Sequence, residues 1–292
     1  MKTLLCLGYG YCARRFVALH GAAFGRRIGT SRDGAPCIGM EMVRFDGMPS
    51  PALIDAVRSA DIVLASAAPG DDGDPFLGPL GAALEQSGRK GALVYLSTIG
   101  VYGDSGGAWI DEEAPLRATA PRARRRIDAE AQWRATGRAA GRPAAILRLG
   151  GIYGPGRNAL LDVAAGTARC IERDGQMFNR IHVDDIAATI LAAAAQGFDG
   201  VVNVVDDEPS PSCAPVRFAA ELLGAPAPEA EPFERAATHM SAMAQSFWAD
   251  NRRVRNARLH ALIGGVLLYP TYREGLAALF GAGAASAETA GR

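Results

Sequence analysis

Lysine is nearly missing from this chain. Lys2 and Lys90 stand among 31 basic residues, and the rest are arginine. With alanine and glycine abundant, the pattern reflects codon bias, so an arginine at one position is weak evidence that a guanidinium is needed there. A charge imbalance is lacking too. The 31 acidic residues offset the 31 basic ones and leave no global field for nucleic acid or a membrane surface. Cysteine is sparse: Cys6, Cys12, Cys37, Cys170 and Cys213 are odd in number and never in C-x-x-C spacing. They do not read as a disulfide framework or a zinc site, and they fit a reducing cytoplasm. The histidines His20, His182, His239 and His260 form no ligand spacing, so no metal is expected. Long apolar runs are absent. The N-terminal one stops at Gly8, too short for a signal peptide's core, and the alanine-rich run 187–195 is too short to span a membrane. What remains is an ordinary globular composition, 49% hydrophobic.

Against that background, residues 4–15 carry the most specific signal. Leu4, Leu5, Cys6 and Leu7 predict a buried strand, and a helix-compatible segment follows to Leu19. Between them Gly8, Gly10 and Ala13 are spaced G-x-G-x-x-A, a dinucleotide fingerprint in its expected place between strand and helix. Gly8 allows the tight turn, Gly10 lets the backbone approach a pyrophosphate, and Ala13 lets the helix pack closely on the sheet. The phosphates would sit on free N–H groups at the positive end of the helix dipole. Tyr9, Tyr11 and Cys12, within the turn, join them as candidate cofactor contacts.

Downstream, apolar runs at 27–31, 43–45, 62–66, 92–98, 144–149 and 201–204 alternate with helical patterns, among them 51–58, 76–86 and 122–137. This alternation predicts an α/β fold with a parallel sheet wound on both faces and ligands beyond the carboxyl ends of its strands. Ser31 and Arg32 end the second strand. Arg32 suits a 2′-phosphate, which favours NADP, with NAD still possible. Asp46 ends the third strand on the adenine side. Ala67 and Ala68 would let a cofactor lie flat over the fourth, and Ser97 and Thr98 end the fifth. The acidic cluster Asp71, Asp72 and Asp74 lacks calcium-loop spacing and reads as a solvated loop. Asp184 or Asp185 would cap the helix through Ala195. Residues 251–258 read as a basic helix, and Thr271 as the cap of the last one. Composition changes character past residue 205, where Pro, Ser and acidic residues collect, and the small-residue stretch 281–292 reads as a disordered tail.

In order and separation, these landmarks resemble the short-chain dehydrogenase/reductase superfamily, closest to atypical members of its extended branch of NAD-dependent epimerases and dehydratases. They are the glycine turn, residues 96–103 (LSTIGVYG), 147–156 (LRLGGIYGPG), 174–176 (DGQ), 180–187 (RIHVDDIA) and 269–276 (YPTYREGL). The resemblance implies a Rossmann-type doubly wound sheet in a dinucleotide-binding domain over 1–205, with 151–182 lending residues to a substrate cleft, a smaller C-terminal substrate domain at 206–280, a nicotinamide cofactor and a catalytic set of Ser/Thr, Tyr and Lys. Counting back from Val101, Thr98 matches the Ser/Thr. Anchored on Glu130, Arg126 stands at the Lys position and Arg122 at the Tyr position. Leu7 replaces the branch's first glycine. Arg126 would keep contact with the nicotinamide ribose. A guanidinium at position 122 cannot trade a proton near neutral pH. Tyr102 and Tyr153 are then the remaining sources of an acid, and Tyr102 joins Thr98 and Arg126 as the catalytic candidates. Tyr153, Arg157, Asn158 and Arg180 fall where the family's substrate cleft lies. The arginine run 122–126 grips an anion or forms a solvated helix face, the second being the better fit to a charge run. The expectation is an NAD(P)-binding oxidoreductase or epimerase/dehydratase-like protein acting on a small molecule, cytoplasmic, monomeric or homodimeric, with no nucleic-acid or membrane partner. The alternative is a non-catalytic NADP(H)-binding sensor or regulatory protein.

Overall fold

Four consecutive apolar side chains, Leu4 to Leu7, are fully buried, which only a strand covered on both faces allows. That strand, β1 (Thr3–Leu7), is central in a computed structural model that describes residues 1–290, with side chains through 283. The other sheet strands are β2 (Arg26–Ser31), β3 (Glu41–Arg44), β4 (Ile62–Ala65), β5 (Leu93–Thr98), β6 (Ala144–Leu149) and β7 (Gly200–Val204). Their order is β7-β6-β5-β4-β1-β2-β3, and every neighbouring pair is parallel. The chain builds outward from β1 to β3, then crosses back to lay β4 on the other side of β1. That reversal opens a crevice at the carboxyl ends of β1 and β4, where doubly wound sheets hold ligands.

The period of two along each strand sorts its side chains into two cores. Leu4 and Cys6 of β1, and Val94 and Leu96 of β5, face one layer, with Phe16 of α1 (Tyr11–His20). Leu5, Leu7, Leu93 and Tyr95 face the other. There α2 (Pro51–Ser59), α3 (Leu77–Glu85) and α4 (Pro121–Ala140) contribute Leu53, Leu80 and Trp133. Trp133 also ties the layer to the loop before α3: its indole N–H donates to Asp74 at 2.8 Å, and Asp74 accepts from the amides of Phe76 and Leu77. Asp74 is therefore a buried cap and not part of a solvated loop. Asp71, by contrast, is an exposed partner of Arg125.

Past β6 the chain forms α5 (Ala159–Ala164), α6 (Val183–Gln196), α7 (Cys213–Leu223), α8 (Phe233–Ala237), α9 (Ala242–Ser246), α10 (Ala257–Ile263) and α11 (Tyr272–Ala290). Short parallel pairs join Gly151–Tyr153 to Arg180–His182, Cys170–Glu172 to Ala230–Pro232, and Trp109–Ile110 to Arg253–Val254. Two satellite cores hold this region together, one around Tyr153, Leu160, Ala219, Tyr272 and Leu276, the other around Ile171, Ala236 and Trp248. Leu259 and Leu262 of α10 join the main core instead, beside α6.

Several local expectations are corrected. Residues 251–256 hold only the two-residue strand Arg253–Val254, and the helix begins only at Ala257. α6 is capped by His182, whose Nδ1 accepts from the Asp184 amide at 3.1 Å. Asp184 instead pairs with Arg15, and Asp185 accepts from the amides of Leu268 and Tyr269. Burial pushes the His182 ring down to about 4, so it stays neutral and able to accept. Cys170 and Cys213 are joined as a disulfide, contrary to the reading that the cysteines form none, and tie α7 to the short strand Cys170–Glu172. Thr271 does cap α11, as expected, in a capping box with Glu274: Glu274 accepts from the Thr271 amide, and the Thr271 hydroxyl accepts from the Arg273 amide. α11 carries helical backbone into the stretch read as a tail, as far as Ala290, and 291–292 lie outside the described residues. Among the described residues no helix is long and apolar enough to cross a membrane.

One buried ion pair fastens α4 to the sheet. Arg148 on β6 meets Glu130 through Nη2 at 2.7 Å and Nε at 3.1 Å, and both side chains are 5% exposed. Replacing one member strands a buried charge. Glu130→Ala should cost about 3–5 kcal/mol, measured as a lower urea midpoint with an unchanged slope.

Candidate functional site

Two cavities lie along the carboxyl edge of the sheet and share Ala68. The first, about 740 Å³, is lined by the turn after β1 (Gly8, Tyr9, Gly10), the end of β2 (Thr30, Ser31, Arg32), Asp46, and Ser66 to Ala68 after β4. The turn is fixed from both sides. The Gly8 amide donates to the Thr30 hydroxyl at 2.8 Å, the Tyr9 amide to the Thr30 carbonyl at 2.8 Å, and the Ser66 hydroxyl to the Gly8 carbonyl. Gly8 has φ +86°, and a Cβ there would lie 3.1 Å from Ala67, so both backbone angle and space require glycine. Gly10 is different. Its φ is −93°, and a Cβ there would meet nothing within 4 Å. Gly10 therefore leaves open room where α1 begins.

No side chain caps α1, and no acid stands in its first turn. Among the described residues nothing accepts from the amides of Tyr11, Cys12 and Ala13. Cys12 and Ala13 turn their side chains into the core, where burial pushes the Cys12 thiol up to about 11, so they offer backbone only. The Tyr11 hydroxyl donates to the Pro155 carbonyl at 3.0 Å and does not line the cavity. Arg32 is exposed and without a hydrogen-bond partner among the described residues, whereas Asp46 is held by Arg44 at 2.8 Å.

The second cavity, about 540 Å³, is walled by Thr98, Arg122, Arg126, Gly150, Gly151 and Arg180, and on its far side by Met177, Phe178, Phe247, Trp248 and Arg252. Thr98 accepts from the Gly100 amide at 3.0 Å, which leaves its hydroxyl proton free to donate. Arg126 donates through Nη1 to the Tyr95 hydroxyl at 2.9 Å and the Leu96 carbonyl at 2.7 Å. Arg180 is held by the Ser210 hydroxyl at 2.6 Å and by the carbonyls of Phe178, Ser210 and Pro211. Burial pushes its guanidinium below the ordinary range. Asp206, close enough to feel Arg180, has no hydrogen-bond partner on either carboxylate oxygen, and burial pushes it up to about 8. Among the described residues no Tyr, His, Lys or Cys lines this cavity. Of the arginine run 122–126, Arg122 and Arg126 face it, while Arg125 pairs with Asp71 outside. Two members of the run thus line this cavity.

Several proposed site residues sit elsewhere. Ser97 donates to Glu130 at 2.5 Å and is buried under the sheet edge, so it faces neither cavity. Tyr102 donates to Asn203 Oδ1 at 2.6 Å and accepts from Arg148 at 2.9 Å, and it is 2% exposed. Burial raises its pKa, and its proton is already committed to Asn203, so it is not the missing acid. Tyr153 packs in the satellite core with its hydroxyl on the Thr271 carbonyl, and burial raises its pKa too. Asn158 caps α5, accepting from the Leu161 amide at 3.1 Å. Arg157 is exposed and lines neither cavity. The far wall at 246–252 was not anticipated. Its available signal was the pair Phe247-Trp248 in a chain only 7% aromatic.

Residues 79–205 match the family model for the NAD dependent epimerase/dehydratase family. A conserved protein from Silicibacter pomeroyi DSS, described as functionally unknown, is 42% identical over 97% of this chain and 99% of its own, with a TM-score of 0.85. MoeE5, solved with UDP-glucose and NAD, is 20% identical over 97% and 99%, with a TM-score of 0.77. A dTDP-glucose 4,6-dehydratase from Bacillus anthracis str. Ames, solved with NAD, is 17% identical over 94% of each chain, with a TM-score of 0.72. These last two share the fold. No curated protein matches. A sheet reversal at a glycine turn and the sequence landmarks along its carboxyl edge agree with the family match: residues 79–205 belong to the NAD-dependent epimerase/dehydratase family, within a chain that shares its full length with the functionally unknown relative.

Proposed function

We propose that the chain binds NADP(H) across the two cavities and acts as an oxidoreductase or epimerase/dehydratase-like enzyme on a small molecule held in the second. The observation that carries this reading is the row of unpartnered amides at Tyr11, Cys12 and Ala13, opening onto the room left by Gly10. Orphan N–H groups at a helix start favour an anion, and a pyrophosphate fits between them and the glycine. The NAD complexes of the two fold neighbours support a nicotinamide dinucleotide in this site.

A bound nicotinamide would supply hydride exchange. Arg32, unpaired at the rim, would take the 2′-phosphate through a charge-assisted fork. Arg126, at the family's Lys position, would orient the ribose. The free Thr98 hydroxyl proton would hydrogen-bond the reacting oxygen. A second reading has a specific basis: with no Tyr, His, Lys or Cys among the described residues that line the second cavity, the chain would be an NADP(H)-binding sensor without turnover. NADPH oxidation across carbonyl and nucleotide-sugar substrates, set beside NADPH affinity, separates the two. Tight binding without turnover selects the sensor, and no affinity for either nucleotide ends both.

Two substitutions test the cofactor site. Gly10→Val should leave thermal stability nearly unchanged, since its side chain meets open space, yet weaken NADPH binding by at least about tenfold by filling the cradle. Arg32→Gln should weaken NADPH by about tenfold and leave NADH within about twofold, as one charge-assisted contact is lost. Both are read by nucleotide fluorescence titration.

A further inference from the structure

The face of α4 that borders the second cavity carries two guanidiniums and no acid. Arg122 and Arg126 both line it, one helical turn apart, a spacing at which like charges repel. The other arginines of the run are engaged away from the cavity. Arg125 pairs with Asp71, and Arg124 donates to the Ala118 carbonyl. Arg126 uses only Nη1 internally. Arg122 makes no hydrogen bond or ion pair among the described residues. Its guanidinium carbon lies 4.2 Å from the ring centroid of Phe247, so the plane is braced on an aromatic wall while its donors stay free.

Its position makes the charge costlier still. Arg122 is in the first turn of α4, where a cation opposes the helix dipole. The N-cap Ala120 offers no side-chain acceptor, and no acid stands in that turn. Asp250, the one carboxylate among the described residues that line the cavity, is taken by Arg252 at 3.1 Å. The protein thus holds an uncompensated positive site against the apolar surface of Phe247, Trp248 and Phe178.

We propose that Arg122 and Arg126 form a clamp for an oxyanion of the substrate, a carboxylate or a phosphate, whose apolar body lies on the aromatic wall. Arg122 makes the contact with its free fork, and Arg126 adds charge one turn deeper. The position that matches the family's Tyr then serves recognition, while Arg126 keeps its place beside the ribose. This rests on reading the second cavity as the substrate site.

The test uses the full chain and reads Trp248 fluorescence, with and without NADP⁺, against three probes: 3-phenylpropionate, phenyl phosphate and the neutral 3-phenylpropionamide. Either anion should bind at least about tenfold more tightly than the amide. The stronger of the two anions identifies the oxyanion. Arg122→Gln should abolish the preference, Arg122→Lys should restore part of it, and Arg124→Gln on the outer face should leave it intact. Equal binding of anion and amide, no anion binding up to about 10 mM, or an intact preference in Arg122→Gln overturns the clamp. NADP⁺ affinity, measured in parallel on the same samples, is a separate readout. Its loss in the parent protein removes the cofactor reading, and an intact value beside a failed anion preference removes the clamp alone.

Discussion

The geometry of the second cavity depends on one buried ion pair. Glu130 and Arg148 lock α4 to β6, and each also serves the network around it. Glu130 accepts from Ser97 on β5, and Arg148 donates to Tyr102, whose own proton goes to Asn203 on β7. Three strands and a helix are thus tied through groups with no access to water. Such a network is stable only when every member is satisfied, and it then permits one arrangement. The same helix carries Arg122 and Arg126, and β5 ends in Thr98, so the pair sets the spacing between the cavity's hydroxyl and its guanidiniums.

The first cavity depends on a different constraint. Gly8 and Gly10 are two residues apart and do opposite things. Gly8 is glycine because φ and the neighbouring Ala67 demand it, while Gly10 is glycine although its backbone would accept a side chain. The first is a folding requirement. The second leaves space that the fold itself does not use.

The sequence pattern made the central sheet readable because each strand is a short apolar run between turns, and β1 is buried along four residues. The glycine turn was readable for the same local reason. Roles that depend on distant partners were not. Ser97 and Tyr102 resemble site residues until Glu130, Arg148 and Asn203 are seen to claim their hydroxyls. Asn158 looks like a cleft residue until it caps a helix one residue later. His182 displaces two aspartates as a cap because Arg15 and the 268–269 amides have already taken them. The arginine-rich composition hid Arg122. Among so many guanidiniums it carries no signal until its lack of a partner is visible.

The two cavities draw on very different spans of chain. Contacts of the first come from residues 8–76, whereas those of the second run from 68 to 252. Because synthesis is vectorial and slow compared with local folding, the nascent polypeptide has emerged with every side chain of the first cavity long before Phe247 and Trp248 exist to wall the second. The order of translation therefore separates the two chambers in time, and the inner one is finished only when the chain returns from its C-terminal excursion to lie against α4.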